Sequence, residues 1–222
     1  MNPAPIRVLI VDDDPLVRSA LRLMLSGSDE IALVGEAEDG SQVPSAVREC
    51  TPDVVLMDIR MPRVDGLAAT ELLARLPSPP QIIILTTFDD DDHVLRAVRA
   101  GASGFLLKNT RAGDLIRAVQ LVADGEAILS PAITRKLMAH VSEPPDASRG
   151  RKDRATTLLA RLTAREHEVA RAVGQGKSNA EIGAELFLGI PTVKTHVSRL
   201  MAKLDLTNRV QIAMLMHDAD QR

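Results

Sequence analysis

The sequence contains no tryptophan, no tyrosine and only three phenylalanines among its 222 residues. Tryptophan or tyrosine fluorescence therefore cannot report ligand binding. The single cysteine, Cys50, excludes an internal disulfide framework and agrees with a reducing compartment. No apolar run approaches the roughly 20 residues of a membrane span, and the N-terminal segment lacks the apolar region of a signal peptide. These absences exclude membrane-spanning and disulfide-rich classes, and a cytoplasmic location is expected.

The composition supports folded domains with uneven charge. Hydrophobic residues make up 45% of the chain, which is enough for real cores, and the length suits one large domain or two modest ones. Residues 1–150 hold 15 Lys/Arg and 22 Asp/Glu, whereas residues 151–222 hold 12 and 8. A basic C-terminal part suggests nucleic acid as a partner, although ordinary scatter of surface charge would explain the same difference.

The first 125 residues alternate short aliphatic runs with helical patterns. Five such βα units predict an α/β fold with a doubly wound, five-stranded parallel sheet and helices on both faces. The predicted strands are 6–11, 31–36, 53–58, 81–85 and 103–107, and the predicted helices are 15–25, 41–49, 66–76, 90–100 and 112–124.

The region after this alternation changes character. Residues from about 142 to 155 carry two prolines, a glycine and many charges without an apolar period, which predicts a linker. A short helix at 131–140 is expected before it. We therefore expect domains at 1–125 and 156–222, joined by a linker over 126–155.

The C-terminal part has the pattern of a four-helix, all-α domain. Thr163 with Glu166, and Ser178 with Glu181, have the spacing of capping boxes that begin two helices. Pro191 suits the first turn of a third helix, and a fourth follows. Two short capped helices joined by a glycine-containing turn predict a helix-turn-helix.

Charged side chains are expected at one edge of the predicted sheet. Asp12 and Asp13 follow the first strand, Asp58 ends the third, and Lys108 follows the fifth. The carboxyl ends of parallel strands share an edge, and sites form there. Several carboxylates beside one lysine indicate a pocket that accepts a phosphoryl group.

Four segments of this region, in this order, resemble a bacterial response-regulator receiver domain, which has a flavodoxin-like fold: Val11–Pro15, Leu56–Gly66, Ile84–Thr87 and Ala100–Lys108. The resemblance implies that Asp58 accepts a phosphoryl group from a sensor histidine kinase. It also implies a Mg²⁺ site, for which carboxylate and carbonyl oxygens are suitable ligands. The implied metal residues are Asp12, Asp13, Asp58 and the backbone carbonyl of Arg60, and the implied phosphoryl-binding and switch residues are Thr86, Phe105 and Lys108.

Some of these residues have plainer interpretations. Asp14 is better explained as the N-cap of the first helix, and the run from Asp89 to Asp92 as an acidic helix start, than as metal ligands. Phe105 suits a core position about as well as a switch position. Asn109 stands where many receivers have proline, so the sequence does not predict the conformation of the loop after Lys108.

Three segments near the C-terminus resemble the LuxR-type helix-turn-helix: Leu162–Glu166, Gly176–Ile182 and Thr192–Val197. With the receiver they resemble the NarL/FixJ subfamily of response regulators. In the third helix, four residues have the spacing of one buried stripe (Val193, Val197, Leu200 and Leu204). The resemblance implies base contacts by Lys194, Thr195 and Ser198, while Arg199 and Lys203 suit phosphates. Ile190 could touch a thymine methyl or pack against the preceding helix.

The expected function is a phosphorylation-controlled, DNA-binding transcriptional regulator rather than an enzyme, although its receiver would assist its own phosphoryl transfer and hydrolysis. Expected partners are the sensor kinase, double-stranded DNA and a second copy, with RNA polymerase as a further candidate and no membrane. The apolar face of the last helix would support dimerisation or simply pack into the core (Val210, Ala213, Met214 and Met216). Two alternatives are a phosphatase of the haloacid dehalogenase type using Asp12 and Asp14, and a regulator that never takes a phosphate.

Overall fold

The computed structural model describes residues 4–86, 91–129 and 145–220, and within 91–93, at 129 and within 145–149 it describes only the backbone. The chain divides into two compact units, Met1–Lys136 and Leu137–Arg222. The helix expected at 131–140, and Asp89 and Asp90 of the acidic run, lie outside the described residues. Among the described residues, no helix has both the length and the apolar character needed to cross a bilayer.

The first unit is a parallel sheet of six strands in the order β2-β1-β3-β4-β5-β6. The strands are β1 Ile6–Val11, β2 Ile31–Ala37, β3 Val54–Asp58, β4 Gln81–Thr86, β5 Gly104–Leu107 and β6 Ile128–Leu129. The helices are α1 Pro15–Leu25, α2 Val43–Cys50, α3 Gly66–Ala74, α4 Asp91–Ala100 and α5 Ala112–Ala123, with a 3₁₀ turn at Gly40–Gln42. The predicted doubly wound fold is confirmed.

The two helical layers follow from the apolar patterns. Helix α1 contacts α5 on one face of the sheet, and α2 contacts α3, which in turn contacts α4, on the other. Strand β3 is buried along its whole length, as its uninterrupted aliphatic run predicts. The edge strand β6 was missed because two residues that pair with β5 are too short to show a period.

The second unit contains α6 Pro145–Leu159, α7 Ala164–Gly174, α8 Asn179–Leu186, α9 Ile190–Leu204 and α10 Arg209–Asp220. Both predicted capping boxes are present, at the starts of α7 and α8. Their reciprocal hydrogen bonds explain why two short helices begin where they do.

Helix α6 corrects the expectation that residues 142–155 lack regular structure. From Pro145 onward this segment is helical, and it contacts α10. Ala155 and Leu159 are buried there, whereas residues 152–154 are exposed. The first half of the helix is polar, so the sequence shows no apolar period, and packing of its second half stabilises the helix instead.

Candidate functional site

The four strand ends singled out in the sequence converge at the carboxyl edge of the sheet. Asp12 follows β1, Asp58 ends β3, Thr86 ends β4 and Lys108 follows β5. Neighbouring strands pair in parallel register, with Leu85 opposite Asp58 and Leu107 opposite Thr86. The Lys108 N–H donates to the Thr86 carbonyl at 2.9 Å, so β4 and β5 stay paired up to this edge.

Lys108 joins the two buried carboxylates. Its Nζ lies 2.8 Å from Asp12 Oδ2 and 3.0 Å from Asp58 Oδ1. Asp12 Oδ1 accepts the N–H of Asp14 at 3.0 Å, and among the described residues its Oδ2 meets only the ammonium. Asp13 stands beside them with an exposed side chain. One cation therefore faces two buried anions, with a third anion at the rim.

The charge arrangement shifts two pKa values. Burial raises the pKa of Asp58 to about 6, with a smaller contribution from the nearby Asp12 carboxylate, against the opposing hydrogen bond and charge of Lys108. Burial alone would lower the pKa of Lys108, but its hydrogen bonds to Asp12 and Asp58 outweigh that effect and raise it. Lys108 therefore stays cationic at neutral pH. Asp58 is also ionised at neutral pH, but its ionised form lowers the stability of the folded state.

The three aspartates also fit a divalent cation. One carboxylate oxygen from each of Asp12, Asp13 and Asp58 lies within 4.8 Å of the other two. Hard oxygen donors are the ligands that Mg²⁺ prefers. An open depression of about 450 Å³ adjoins this group and is lined by Asp13, Arg60 and residues of the loop after β3. The residues present therefore fit the Mg²⁺ ion that the resemblance to receiver domains implies.

Two questions that the sequence left open in this region have structural answers. Asp14 caps α1 by accepting the Leu16 N–H at 2.8 Å, as expected, so its carboxylate is engaged in holding the helix start. This disfavours a phosphatase that would need Asp12 and Asp14 together. After Lys108, a turn is closed by the N–H of Thr110 and the carbonyl of Leu107 at 2.9 Å.

Phe105 is among the largest fully buried side chains of the chain, and it pairs with Ile84 in the sheet. It therefore packs as a core residue in this structure. A switching role for Phe105 stays a prediction.

The loop that follows Asp58 depends on two positions, Asp39 and Gly66, whose roles sequence reasoning missed. Asp39 is buried, and its carboxylate accepts backbone N–H groups of Ser41 at 3.0 Å, Arg63 at 3.0 Å and Val64 at 3.4 Å. The pKa of Asp39 is held well below its ordinary value, mainly by a hydrogen bond from the Ser41 hydroxyl and further by the hydrogen bonds from these backbone N–H groups.

Gly66 controls the same loop sterically. A Cβ at Gly66 would lie 1.9 Å from the backbone oxygen of Asp58, so no side chain fits there without moving the site. The Asp-Gly pair at 39–40 could have suggested a turn, but its contact with the distant loop is visible only in three dimensions.

In the second unit, α9 has the two faces that its sequence predicted. Val193, Val197, Leu200 and Leu204 are buried. The opposite side carries exposed Thr195, Ser198, Ala202, Arg199 and Lys203, with Lys194 half-buried. A helix with small and polar exposed residues flanked by cations suits the major groove of DNA. Ile190 is 46% exposed at the start of α9, so it does not simply pack into the core.

The polar side chains near α9 also have partners inside the domain. Lys203 Nζ lies 2.6 Å from Glu166 Oε2, and this contact, with hydrogen bonds from Thr163, lowers the pKa of Glu166 to about 2. Thr195 Oγ1 donates to the Pro191 carbonyl at 3.0 Å. Lys203 thus connects α9 to the capping box of α7, a role that the sequence pattern did not suggest.

Arg209 is a further residue that the sequence analysis missed. Its buried guanidinium donates to Asn179 Oδ1 at 2.9 Å and to the Lys177 carbonyl. These contacts tie the start of α10 to the start of α8.

The apolar residues of α10 divide between the core and the surface. Val210, Ile212 and Met216 are buried, while Ala213 and Met214 are half-buried. Packing within the domain therefore accounts for Val210 and Met216, and dimerisation through α10 stays a prediction.

Comparison with known proteins gives a family for each of the two units. Residues 8–120 match the family model described as "Response regulator receiver domain", and residues 160–216 match "Bacterial regulatory proteins, luxR family".

Relatives match along nearly the whole chain. The transcriptional regulatory protein LiaR of Bacillus subtilis (strain 168) is 38% identical over 212 residues, covering 96% of this chain and 97% of LiaR. The nitrate/nitrite response regulator protein NarL of Escherichia coli (strain K12) is 32% identical over 218 residues, covering 97% of each. The crystal structure of the response regulator ChrA, from a heme-sensing two-component system, matches with 38% identity and a TM-score of 0.54, covering 96% of each chain.

Proposed function

Because this chain belongs to the response regulators, with a receiver domain followed by a LuxR-type DNA-binding domain, we propose that Asp58 is its phosphoacceptor and that α9 is its DNA-reading helix. The protein is a DNA-binding transcriptional regulator. The observation that carries the phosphoacceptor assignment is the contact of the buried Asp58 carboxylate with the Lys108 ammonium, at 3.0 Å, within 4.8 Å of carboxylate oxygens of Asp12 and Asp13.

The chemistry follows from this placement. An Asp58 carboxylate oxygen attacks the phosphorus of a phosphohistidine on a sensor kinase, the phosphorus–nitrogen bond breaks, and an acyl phosphate forms on Asp58. Lys108 neutralises charge on the transferred group, and the Thr86 hydroxyl offers it a hydrogen bond. Asp12, Asp13, Asp58 and the Arg60 carbonyl would hold Mg²⁺, which when bound would neutralise phosphoryl oxygens. The same residues would assist hydrolysis of the acyl phosphate by water.

On DNA, we assign base contacts to Lys194, Thr195 and Ser198, which lie on or beside the exposed face of α9. Arg199 and Lys203 would contact phosphates, which position the protein without reading sequence. Lys203 has three ammonium donors, so its bond to Glu166 leaves donors for a phosphate.

The phosphate would alter dimerisation and DNA binding, since it adds about 1.5 to 2 negative charges at the carboxyl edge of the sheet. The active form would be a homodimer on double-stranded DNA in the cytoplasm, with RNA polymerase as a further partner. A coupling of about 1–3 kcal/mol would raise DNA affinity by about 5- to 150-fold.

The test is incubation of the full chain with acetyl phosphate and Mg²⁺, followed by intact mass. We expect wild type to gain the mass of one acid-labile phosphate and Asp58→Asn to gain none. Asp13→Ala should fold but lose most of its Mg²⁺ affinity in calorimetry. If Asp58→Asn gains the same mass, Asp58 is not the acceptor.

The link to DNA is measured on the same preparations. Phosphorylated wild type should bind its operator duplex more tightly than unphosphorylated wild type, and Asp58→Asn should not respond to the donor. Equal affinity before and after phosphorylation of wild type would contradict control by the receiver.

A further inference from the structure

A single arginine on α1 contacts the turn that carries two of the proposed metal ligands. The Arg18 side chain is only 11% exposed. Its Nη1 donates to the backbone carbonyls of Asp12 at 2.8 Å and Asp13 at 3.3 Å. Both acceptors are backbone carbonyls, so the guanidinium holds the backbone of the turn directly.

The other side of the same guanidinium is held by β2 and the residues just after it. Arg18 Nη2 lies 2.9 Å from Glu38 Oε1, and its Nε lies 3.4 Å from Glu36 Oε2. Because a guanidinium is planar and has five donors in a rigid fork, two acidic side chains and two carbonyls can orient it in one position. Arg18 therefore braces the turn after β1 against the end of β2.

The position of a cation here has an electrostatic cost. A positive charge near a site for Mg²⁺ disfavours the metal by Coulomb repulsion, although Glu36 and Glu38 offset much of that charge. Any favourable contribution of Arg18 to Mg²⁺ binding must then come from geometry. Holding the two backbone carbonyls fixes the backbone positions from which the Asp12 and Asp13 side chains extend. Residues that orient metal ligands in this way affect affinity without touching the metal.

We propose that Arg18 is a positioning residue that preorganises Asp12 and Asp13 for Mg²⁺ binding. This inference rests on the proposed metal site at Asp12, Asp13 and Asp58. It predicts that loss of the guanidinium weakens Mg²⁺ binding, whereas loss of its charge alone would strengthen it. The sign of the change thus separates positioning from simple electrostatics.

The chain supplies a matched control on the same helix. Arg22 lies one turn after Arg18, donates to Glu36 Oε1 from Nε at 2.8 Å, and is 57% exposed. Among the described residues its guanidinium forms hydrogen bonds and an ion pair only with Glu36. Arg22→Gln therefore removes the same charge and a bond to the same β2 glutamate, but leaves the metal-binding turn untouched.

The experiment measures the Mg²⁺ dissociation constant of the unphosphorylated full chain by calorimetry. We expect Arg18→Gln to bind about tenfold more weakly than wild type, as is typical when a group that orients metal ligands is removed. Arg22→Gln should bind as wild type does or slightly more tightly. Arg18→Lys keeps the charge but lacks the fork, so it should stay impaired, and full recovery in Arg18→Lys would overturn the proposal.

A second readout needs no metal. The N–H of Asp14 donates to Asp12 Oδ1, so its hydrogen exchange reports the order of the turn. We expect faster exchange at Asp14 in metal-free Arg18→Gln and Arg18→Lys, but not in Arg22→Gln. Unchanged exchange in both Arg18 variants would overturn the proposal.

The outcomes also separate this inference from the metal site itself. If wild type does not bind Mg²⁺, the proposed metal site fails, and exchange at Asp14 still decides whether Arg18 orders the turn. If wild type binds Mg²⁺ and Arg18→Gln binds it equally or more tightly, only the positioning role fails. Should Arg18→Gln not fold by circular dichroism, Arg18→Lys gives the decision by the same two measurements.

Discussion

Replacing Asp58 with asparagine should stabilise the unphosphorylated receiver at neutral pH. Burial raises the pKa of this carboxyl from 3.8 to about 6, so the folded state holds its proton more tightly than the unfolded chain does. Below pH 3.8 both states are protonated and the carboxyl costs nothing. Between 3.8 and 6 the folded state becomes progressively disfavoured, and above 6 the whole cost is present.

The size of this effect follows from the two pKa values. A separation of roughly two pH units corresponds to about 3 kcal/mol, since each unit is worth about 1.36 kcal/mol. The shift from 3.8 to about 6 already includes the attraction of Lys108, so that pair needs no further correction. Asp58→Asn removes the charge, and we therefore expect the free energy of unfolding to rise by up to about 3 kcal/mol at pH 7.5.

The assay is urea unfolding without Mg²⁺, followed by far-ultraviolet circular dichroism because the chain has no tryptophan. It is repeated from pH 4 to pH 8 on wild type, Asp58→Asn and the exposed control Asp29→Asn. The advantage of Asp58→Asn should be largest above pH 6 and nearly absent at pH 4, while Asp29→Asn should differ from wild type by less than about 0.5 kcal/mol throughout. An advantage that is absent at pH 7.5, or that grows toward low pH, would refute the reasoning.

Three further predictions concern other parts of the molecule. Gly66→Ala should lower both receiver stability and phosphorylation by acetyl phosphate, because its Cβ would collide with the Asp58 backbone oxygen; wild-type phosphorylation in this variant would contradict the packing. Lys194→Ala should weaken binding to the operator duplex by about 1–3 kcal/mol but leave binding to a scrambled duplex unchanged. Lys203→Ala should weaken binding to both duplexes and reduce the slope of log binding constant against log salt concentration by about one. Equal losses on both duplexes for Lys194→Ala would contradict its role in reading bases. Phe187 is 95% exposed and has a positive φ of 55°, a conformation that asparagine adopts more readily. Phe187→Asn should therefore raise the free energy of unfolding of the second unit by about 1 kcal/mol. A lowered melting temperature in this variant would argue against backbone strain at Phe187.

The order of elements and the chemistry at the strand ends could be predicted from the residues alone. Continuous aliphatic runs such as Val54–Met57 predicted buried parallel strands, and those strands bring Asp12, Asp58 and Lys108 to one edge. Local hydrogen bonding similarly predicted the helix starts at Thr163 and Ser178, because a capping box lies within four consecutive residues.

Helix α6 and strand β6 depend on contacts with distant parts of the chain. Packing of Ala155 and Leu159 stabilises α6 although its first half is polar, and pairing with β5 defines a strand of two residues. Neither element has a local pattern of its own.

The bracing of the site also exists only after folding. Asp39 binds backbone N–H groups more than twenty residues away, and Arg18 joins the turn after β1 to Glu38. Local sequence patterns reflect the conformational preferences of neighbouring residues, whereas these contacts join segments that become neighbours only when the sheet forms. The carboxylates that we propose to react could therefore be predicted from the chain alone, but the groups that hold them in place could not.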